Sequence, residues 1–157
     1  MKFLATIFTI LFTFIFSSPV LANNVIQTAQ TGAQTQIDTN HTSKFGIRSN
    51  SGPMTLEGGE FVMKKGTAAS DLVTLTLYSD VNKTSIMAQK SVDNTAFTGQ
   101  FLSVYILFDT PQILNQGQMY YAELTSPAPD TQSNAYFIKG ADENGSCIIY
   151  DYLSANE

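Results

Sequence analysis

Apolar and polar side chains alternate with a period of two along much of this chain after residue 42. In residues 72–78, Val73, Leu75 and Leu77 share one face while Thr74 and Thr76 take the other, the pattern of a strand buried on one side. Residues 101–108 repeat it, with Leu102, Val104, Ile106 and Phe108 on one face and Phe101, Ser103, Tyr105 and Leu107 opposite. Similar runs at 119–125, 135–139 and 147–153 predict three more strands. Residues 54–63 predict another, interrupted at Gly58-Gly59, where a glycine pair signals a bulge or sharp bend. Asp142-Glu143-Asn144-Gly145 lies between two of these runs. Asn-Gly accepts the positive φ angles of a tight hairpin, so the last two strands are expected to be antiparallel neighbours. Pro127-Ala128-Pro129-Asp130 reads as a loop, and residues 85–92 are the one stretch with room for a helical turn. Many short strands with regular turn signals and no helical stripe predict an all-β fold, an antiparallel β-sandwich of jelly-roll type.

The start of the chain has a different pattern. Met1-Lys2 precedes an apolar run from Phe3 to Phe16 and then Ser17-Ser18-Pro19-Val20-Leu21-Ala22. A basic start, an apolar stretch of this length and a small residue at a helix-breaking boundary read as a secretory signal peptide, residues 1–22, cut after Ala22. Pro19 and the serine pair end the run too early for a membrane anchor, and no basic cluster follows to stop transfer. The expected location is secreted or periplasmic, with no membrane contact after cleavage. Residues 23–42 are rich in Gln, Thr and Asn and poor in large apolar side chains. That composition predicts a flexible polar leader with at most a short edge strand near residues 35–38. The sandwich domain is then expected to span residues 43–157.

Removing 22 of the 157 residues leaves 135, one domain able to bury a core without disulfide or metal staples. A lone Cys147 agrees, since one thiol forms no internal disulfide. The mature chain keeps seven of the eight Lys and Arg residues and all thirteen acids, a formal charge of −6. Its basic residues are scattered apart from Lys64-Lys65. This disfavours nucleic acid and anionic lipid as partners, because both need a concentrated positive footprint. Oligomeric state is left open.

Val73-Thr74-Leu75-Thr76-Leu77-Tyr78-Ser79-Asp80, the step Ser85-Ile86-Met87-Ala88, and Pro111 through Tyr120, with Ile113-Leu114, Gly117 and Tyr120 in place, form a connected pattern. Met54-Thr55-Leu56 leading to Glu60-Phe61-Val62-Met63 precedes it. In these residues the chain resembles the choice-of-anchor R type domain of secreted and surface-attached bacterial proteins, over residues 44–140. The resemblance implies a β-sandwich loosely similar to carbohydrate-binding modules. Two departures stand out: the chain has no Trp, with Tyr136-Phe137 late in the fold instead, and it ends at Glu157 without an apolar helix or basic tail.

Candidate chemistry is sparse. The only histidine, His41, falls in the expected leader, which is a poor place to hold a proton-transfer geometry. Glu57 with Glu60 is a carboxylate pair that a glycosidase could use only at the right separation and with one raised pKa. The expectation is therefore a non-enzyme, with a secreted hydrolase as the third choice. Short acidic loops at Asp80 with Asn82, and at Asp142 with Asn144, offer oxygen ligands to calcium, although side-chain hydrogen bonding within turns explains them as well. Tyrosine presents a flat apolar face with a polar tip, suited to sugars. Tyr105, Tyr121 and Tyr136 are the candidate ligand contacts. Together these readings predict a module that binds a glycan or cell-surface polymer. The alternative is a structural or adhesive subunit that assembles through exposed strand edges.

Overall fold

The alternating runs fold into strands whose apolar faces meet in a two-layer β-sandwich. The computed structural model describes residues 24–27, 33–50, 52–140 and 148–152. The strands are β1 (Asn24–Gln27), β2 (Gln34–Ile37), β3 (Ser43–Ser49), β4 (Met54–Lys65), β5 (Val73–Tyr78), β6 (Ile86–Val92), β7 (Leu102–Leu114), β8 (Met119–Thr125), β9 (Tyr136–Lys139) and β10 (Ile148–Tyr152). A 3-10 turn at Asn94–Ala96 is capped by the Asp93 carboxylate, which accepts from the Thr95 N–H.

Sheet I is organised around β4. One edge of β4 pairs with β7; the other pairs in tandem with β1 and β9, and β9 pairs in turn with β2. Sheet II runs β10-β3-β8-β5-β6. Pairing is antiparallel except for β1 on β4 and β10 on β3, which are parallel. Val73, Leu75 and Leu77 of β5 are fully buried, as their alternation predicts, and pack with Phe45, Leu56, Phe61, Ile106 and Leu124 in one core. Phe45 of β3 meets Phe61 of β4 across the two sheets at 5.6 Å between ring centroids. Burial of side chains this large contributes about 1.5–3 kcal/mol each, so the layers are held mainly by such contacts.

The glycine pair in β4 marks the bulge that the sequence predicts. The β4–β7 register shifts between Leu56 and Gly58, and inward-facing positions change from even to odd numbers. Met54 and Leu56 point into the core before the shift, and Phe61 and Met63 after it. Glu60, Val62 and Lys64 consequently face outward. Gly58 has φ +147°, and a Cβ there would run into the Ile106 carbonyl oxygen.

Several expectations are corrected. The short edge strand expected near residues 35–38 is β2, at the edge of sheet I, whereas β1 was not expected; Ile26 and Ile37 are both fully buried. A few well-spaced isoleucines suffice because the sheet supplies the hydrogen bonds that polar neighbours cannot. Residues 86–92 form β6, a strand and not a helical turn, because β5 offers it a full antiparallel edge. β9 and β10 are not neighbours; they lie in different sheets, and β10 pairs with β3. The Asn-Gly step sets only local turn preference, whereas strand partners follow the burial of whole faces. That step, Cys147 and the proposed signal peptide lie outside the described residues.

Two stability measurements check this account. Ile26→Ala should cost about 2–5 kcal/mol in urea unfolding, as for other buried isoleucines, whereas a flexible leader would show no loss. Gly58→Ala should cost about 1–3 kcal/mol, since the position needs a backbone conformation that alanine rarely adopts, and an unchanged midpoint would count against the bulge geometry.

Candidate functional site

The bulge turns Glu60, Val62 and Lys64 outward, and pairing sets their neighbours. Tyr105 lies opposite Glu60 and Ser103 opposite Val62 on β7. Gln27 of β1 lies beside Glu60 on the other side. On β9, Phe137 is opposite Lys64, and β2 adds Gln36 next to Phe137 and Gln34 next to Lys139. The outer face of sheet I therefore carries amides, two lysines and a line of apolar groups along β7.

Glu60 fixes the middle of this face. Gln27 Nε2 donates to its carboxylate at 2.9 Å. Hydrogen bonds from Ser103 first, then Tyr105, hold the Glu60 carboxyl below its ordinary value, against the opposing effect of burial. The same bond pushes the Tyr105 phenol upward. The Tyr105 hydroxyl is thus committed while its ring stays open to solvent, at 57% exposure.

At the other end of the face, two ammonium groups share one ring. Lys64 Nζ lies 4.8 Å from the Phe101 centroid and 5.1 Å from that of Phe137. Lys139 Nζ lies 4.8 Å from the same Phe101 ring. All three distances are within the range of cation–π attraction. Two depressions adjoin this ring. One, of about 330 Å³, is lined by Val62, Phe101, Leu102, Ser103 and Lys139. The other, of about 620 Å³, includes Lys64, Phe137 and Gln34 in its wall. Both fall in the size range of small-ligand sites.

The three predicted tyrosines are not brought together. Tyr105 is exposed on sheet I. Tyr121 is half-buried on the outer face of sheet II, directly opposite Tyr78 of β5. Tyr136 faces the core, fully buried against Phe97 at 4.8 Å, with its hydroxyl donating to the Asp71 carbonyl. Burial raises its phenol to about 12. It is a packing residue, not a ligand contact: as at Tyr120 and Tyr121, the alternation along the strand turns one of two adjacent aromatics inward. Phe101, Lys64 and Lys139 were missed by sequence reasoning because they come from three separate strands or strand ends. Their one sequence signal is a lysine placed beside an aromatic run.

The acidic positions also separate. The Asp80 carboxylate accepts from the N–H groups of Asn82, Thr84 and Ser85 at 2.9–3.3 Å and from the Thr84 hydroxyl at 3.0 Å. Burial works to raise Asp80, and these bonds outweigh it and hold the carboxyl below its ordinary value. A calcium ion there would have to displace the donors of its own loop. Asp142 and Asn144 lie outside the described residues. Glu57 and Glu60 both face outward around the bulge, but Glu60 is shifted down, opposite to the raised carboxylic acid that glycoside cleavage uses.

His41 sits in an ordered network, not on a floppy segment. Its Nδ1 lies 2.9 Å from the buried Asp38 carboxylate and 3.8 Å from Asp130. Gln36 Nε2 donates to Asp38 at 2.5 Å and to Asp130 at 3.2 Å, and Asn40 Nδ2 donates to Asp130 at 2.9 Å. The imidazole and the two carboxylates place ligand-type atoms within 4.8 Å of one another. They could hold a cation, although their hydrogen bonds already tie β2 to the loop after β8.

No protein-family model matches the chain, and no curated protein matches it. Among the described residues no helix is long and apolar enough to cross a membrane.

The His41 network predicts a pH signature. His41 is raised above 6.5, first by its hydrogen bond to Asp38 and then by the charges of Asp38 and Asp130. Burial works to raise Asp38, but hydrogen bonds from Asn40, His41 and Gln36 bring it below 3.8. The histidine contribution to stability is full below 6.5 and is lost as pH rises through the folded value. The aspartate contribution is present above 3.8 and is lost as pH falls through its own folded value. In an NMR titration the His41 midpoint should lie above 6.5 and move down in Asp38→Asn, with a smaller drop in Asp130→Asn. A wild-type midpoint at or below 6.5 would contradict the network.

Proposed function

We propose that the protein is a secreted, non-catalytic β-sandwich module that binds a glycan or cell-surface polymer on the outer face of sheet I. The observation that carries this reading is Tyr105, an exposed ring whose hydroxyl is anchored by Glu60, in line with Leu107 on β7 and with Phe101 just before the strand. Strand geometry spaces Phe101 and Tyr105 about 13 Å apart, and ring faces of this kind suit the C–H faces of successive sugars. Gln27, Gln34 and Gln36 lie alongside as hydrogen-bonding groups, and a fixed ring costs less to order on binding than a mobile one. Secretion rests on the signal-like residues 1–22, and the likeness to choice-of-anchor R domains agrees with an extracytoplasmic binding role.

Assembly through strand edges is the second reading. Among the described residues β7 borders no second strand of sheet I, and it exposes Leu102, Tyr105 and Leu107. Two features work against edge pairing. Asp109 is held by Lys90 of β6 at 2.5 Å, and Pro111 in mid-strand lacks a donor.

Affinity electrophoresis against soluble polysaccharides, with and without calcium, separates the readings. The protein should be retarded by at least one polymer, and Tyr105→Ala should weaken that binding about tenfold, in the range typical of a central aromatic contact. Its unfolding midpoint should move by no more than about 0.5 kcal/mol, as for other surface substitutions. Retention by no polymer, together with concentration-dependent oligomers that Leu107→Lys dissociates, would replace the glycan reading with assembly.

A further inference from the structure

The two lysines over Phe101 are the most unusual electrostatic feature of this acidic protein. Two other lysines are ion-paired: Lys83 lies 2.6 Å from Glu123 and Lys90 2.5 Å from Asp109. Lys64 and Lys139 have no carboxylate partner among the described residues, yet each ammonium is held 4.8 Å from one ring centroid. They are therefore no farther apart than twice that distance. Like charges within this distance repel weakly in water, and the ring attracts each of them. An anion between them would turn repulsion into attraction on both sides.

The surroundings narrow the anion. The depression beside Lys139 has a mixed floor, with Val62 and Leu102 apolar and Ser103 polar. Leu102 remains 53% exposed. Ser103 bonds to Glu60, which leaves its oxygen able to accept from a hydroxyl. Inorganic phosphate would use the lysines and leave Leu102 in water. A sugar ring bearing a carboxylate would use all three features: its C–H face on Val62 and Leu102, a hydroxyl on Ser103, and its carboxylate on the Lys139 ammonium, with Lys64 held at the same Phe101 ring. The cavity of about 330 Å³ is at the lower end of the range for small-ligand sites, a size suited to one or two such residues.

We propose that Lys64, Lys139 and Phe101 form an anion seat and that the polymer bound on sheet I is an acidic glycan of the uronic-acid class. This rests on the glycan reading above and adds to it a requirement for the carboxylate.

Calorimetric titration with polygalacturonate, the same polymer fully methyl-esterified, a neutral β-glucan and poly-glutamate tests it. Polygalacturonate should bind and weaken with added salt, as charge contacts do. Its ester should bind about tenfold more weakly, the loss expected for a charge-assisted contact. Lys64→Gln and Lys139→Gln should each lower polygalacturonate affinity several-fold, while Phe101→Leu should reduce it with both lysines intact. Equal binding of acid and ester, or unchanged affinity in the lysine variants, overturns the seat. Retention of the neutral β-glucan alone also overturns it and leaves the glycan reading standing. Binding of none of the sugars overturns both. Poly-glutamate bound as tightly as polygalacturonate, with no effect of Phe101→Leu, would reduce the site to general anion attraction and overturn the uronate assignment.

Discussion

A register break at Gly58 of β4 governs which side chains meet solvent. Without the bulge beside Gly58, the even-numbered inward pattern of Met54 and Leu56 would continue through Glu60, Val62 and Lys64. A carboxylate and an ammonium group would then enter the core, which costs several kcal/mol per unpaired ion, while Phe61 and Met63 would be left in water. Gly58 removes the conflict because its φ of +147° and lack of a Cβ let the chain pass close to the Ile106 carbonyl. Both sides of the molecule depend on that shift. Inside, it sends Phe61 to Phe45 across the sandwich; outside, it places Glu60 beside Tyr105 and Lys64 beside Phe101.

The outer face so formed has two electrostatic characters. Around Glu60 the groups are mutually satisfied: the carboxylate takes bonds from Gln27, Ser103 and Tyr105, which lock it in the ionised form. The ionised carboxylate so held positions the Tyr105 ring. Around Phe101 the balance is open, with two cations attracted to one ring and no acid beside them among the described residues.

Much of the fold was legible because alternation reports burial directly. Val73, Leu75 and Leu77 are buried, and Tyr105 faces away from Val104 and Ile106, as their spacing implies. β6 was not legible: its residues range from half-buried to exposed along the whole strand, so no face stands out to reveal a strand. β1 was hidden among polar neighbours because one buried Ile26 carries its packing. The pairing of β10 with β3 was beyond local signals, since Asn144-Gly145 describes a turn but not the sheet that receives the next strand. The site was legible in pieces only. Tyr105 could be placed from the alternation of β7, whereas the meeting of Lys64, Phe101 and Lys139 depends on β4, β9 and the start of β7 lying side by side.

The two outer faces of the sandwich differ in how far their polar groups are matched. Sheet II also presents aromatics, Tyr78 and Tyr121 paired across strands. Its polar groups, however, are already matched to one another. Glu123 takes Lys83 and the Thr42 hydroxyl, Gln89 donates to Thr76, and Thr74 bonds to Ser91. A ligand arriving there would have to break existing bonds to make its own, which leaves little net gain. On sheet I the unmatched charges and the open Tyr105 ring require no such exchange. The asymmetry therefore lies in the charges: these acid and hydroxyl groups of sheet II are bonded to one another, while Lys64 and Lys139 on sheet I face an aromatic ring and no carboxylate among the described residues.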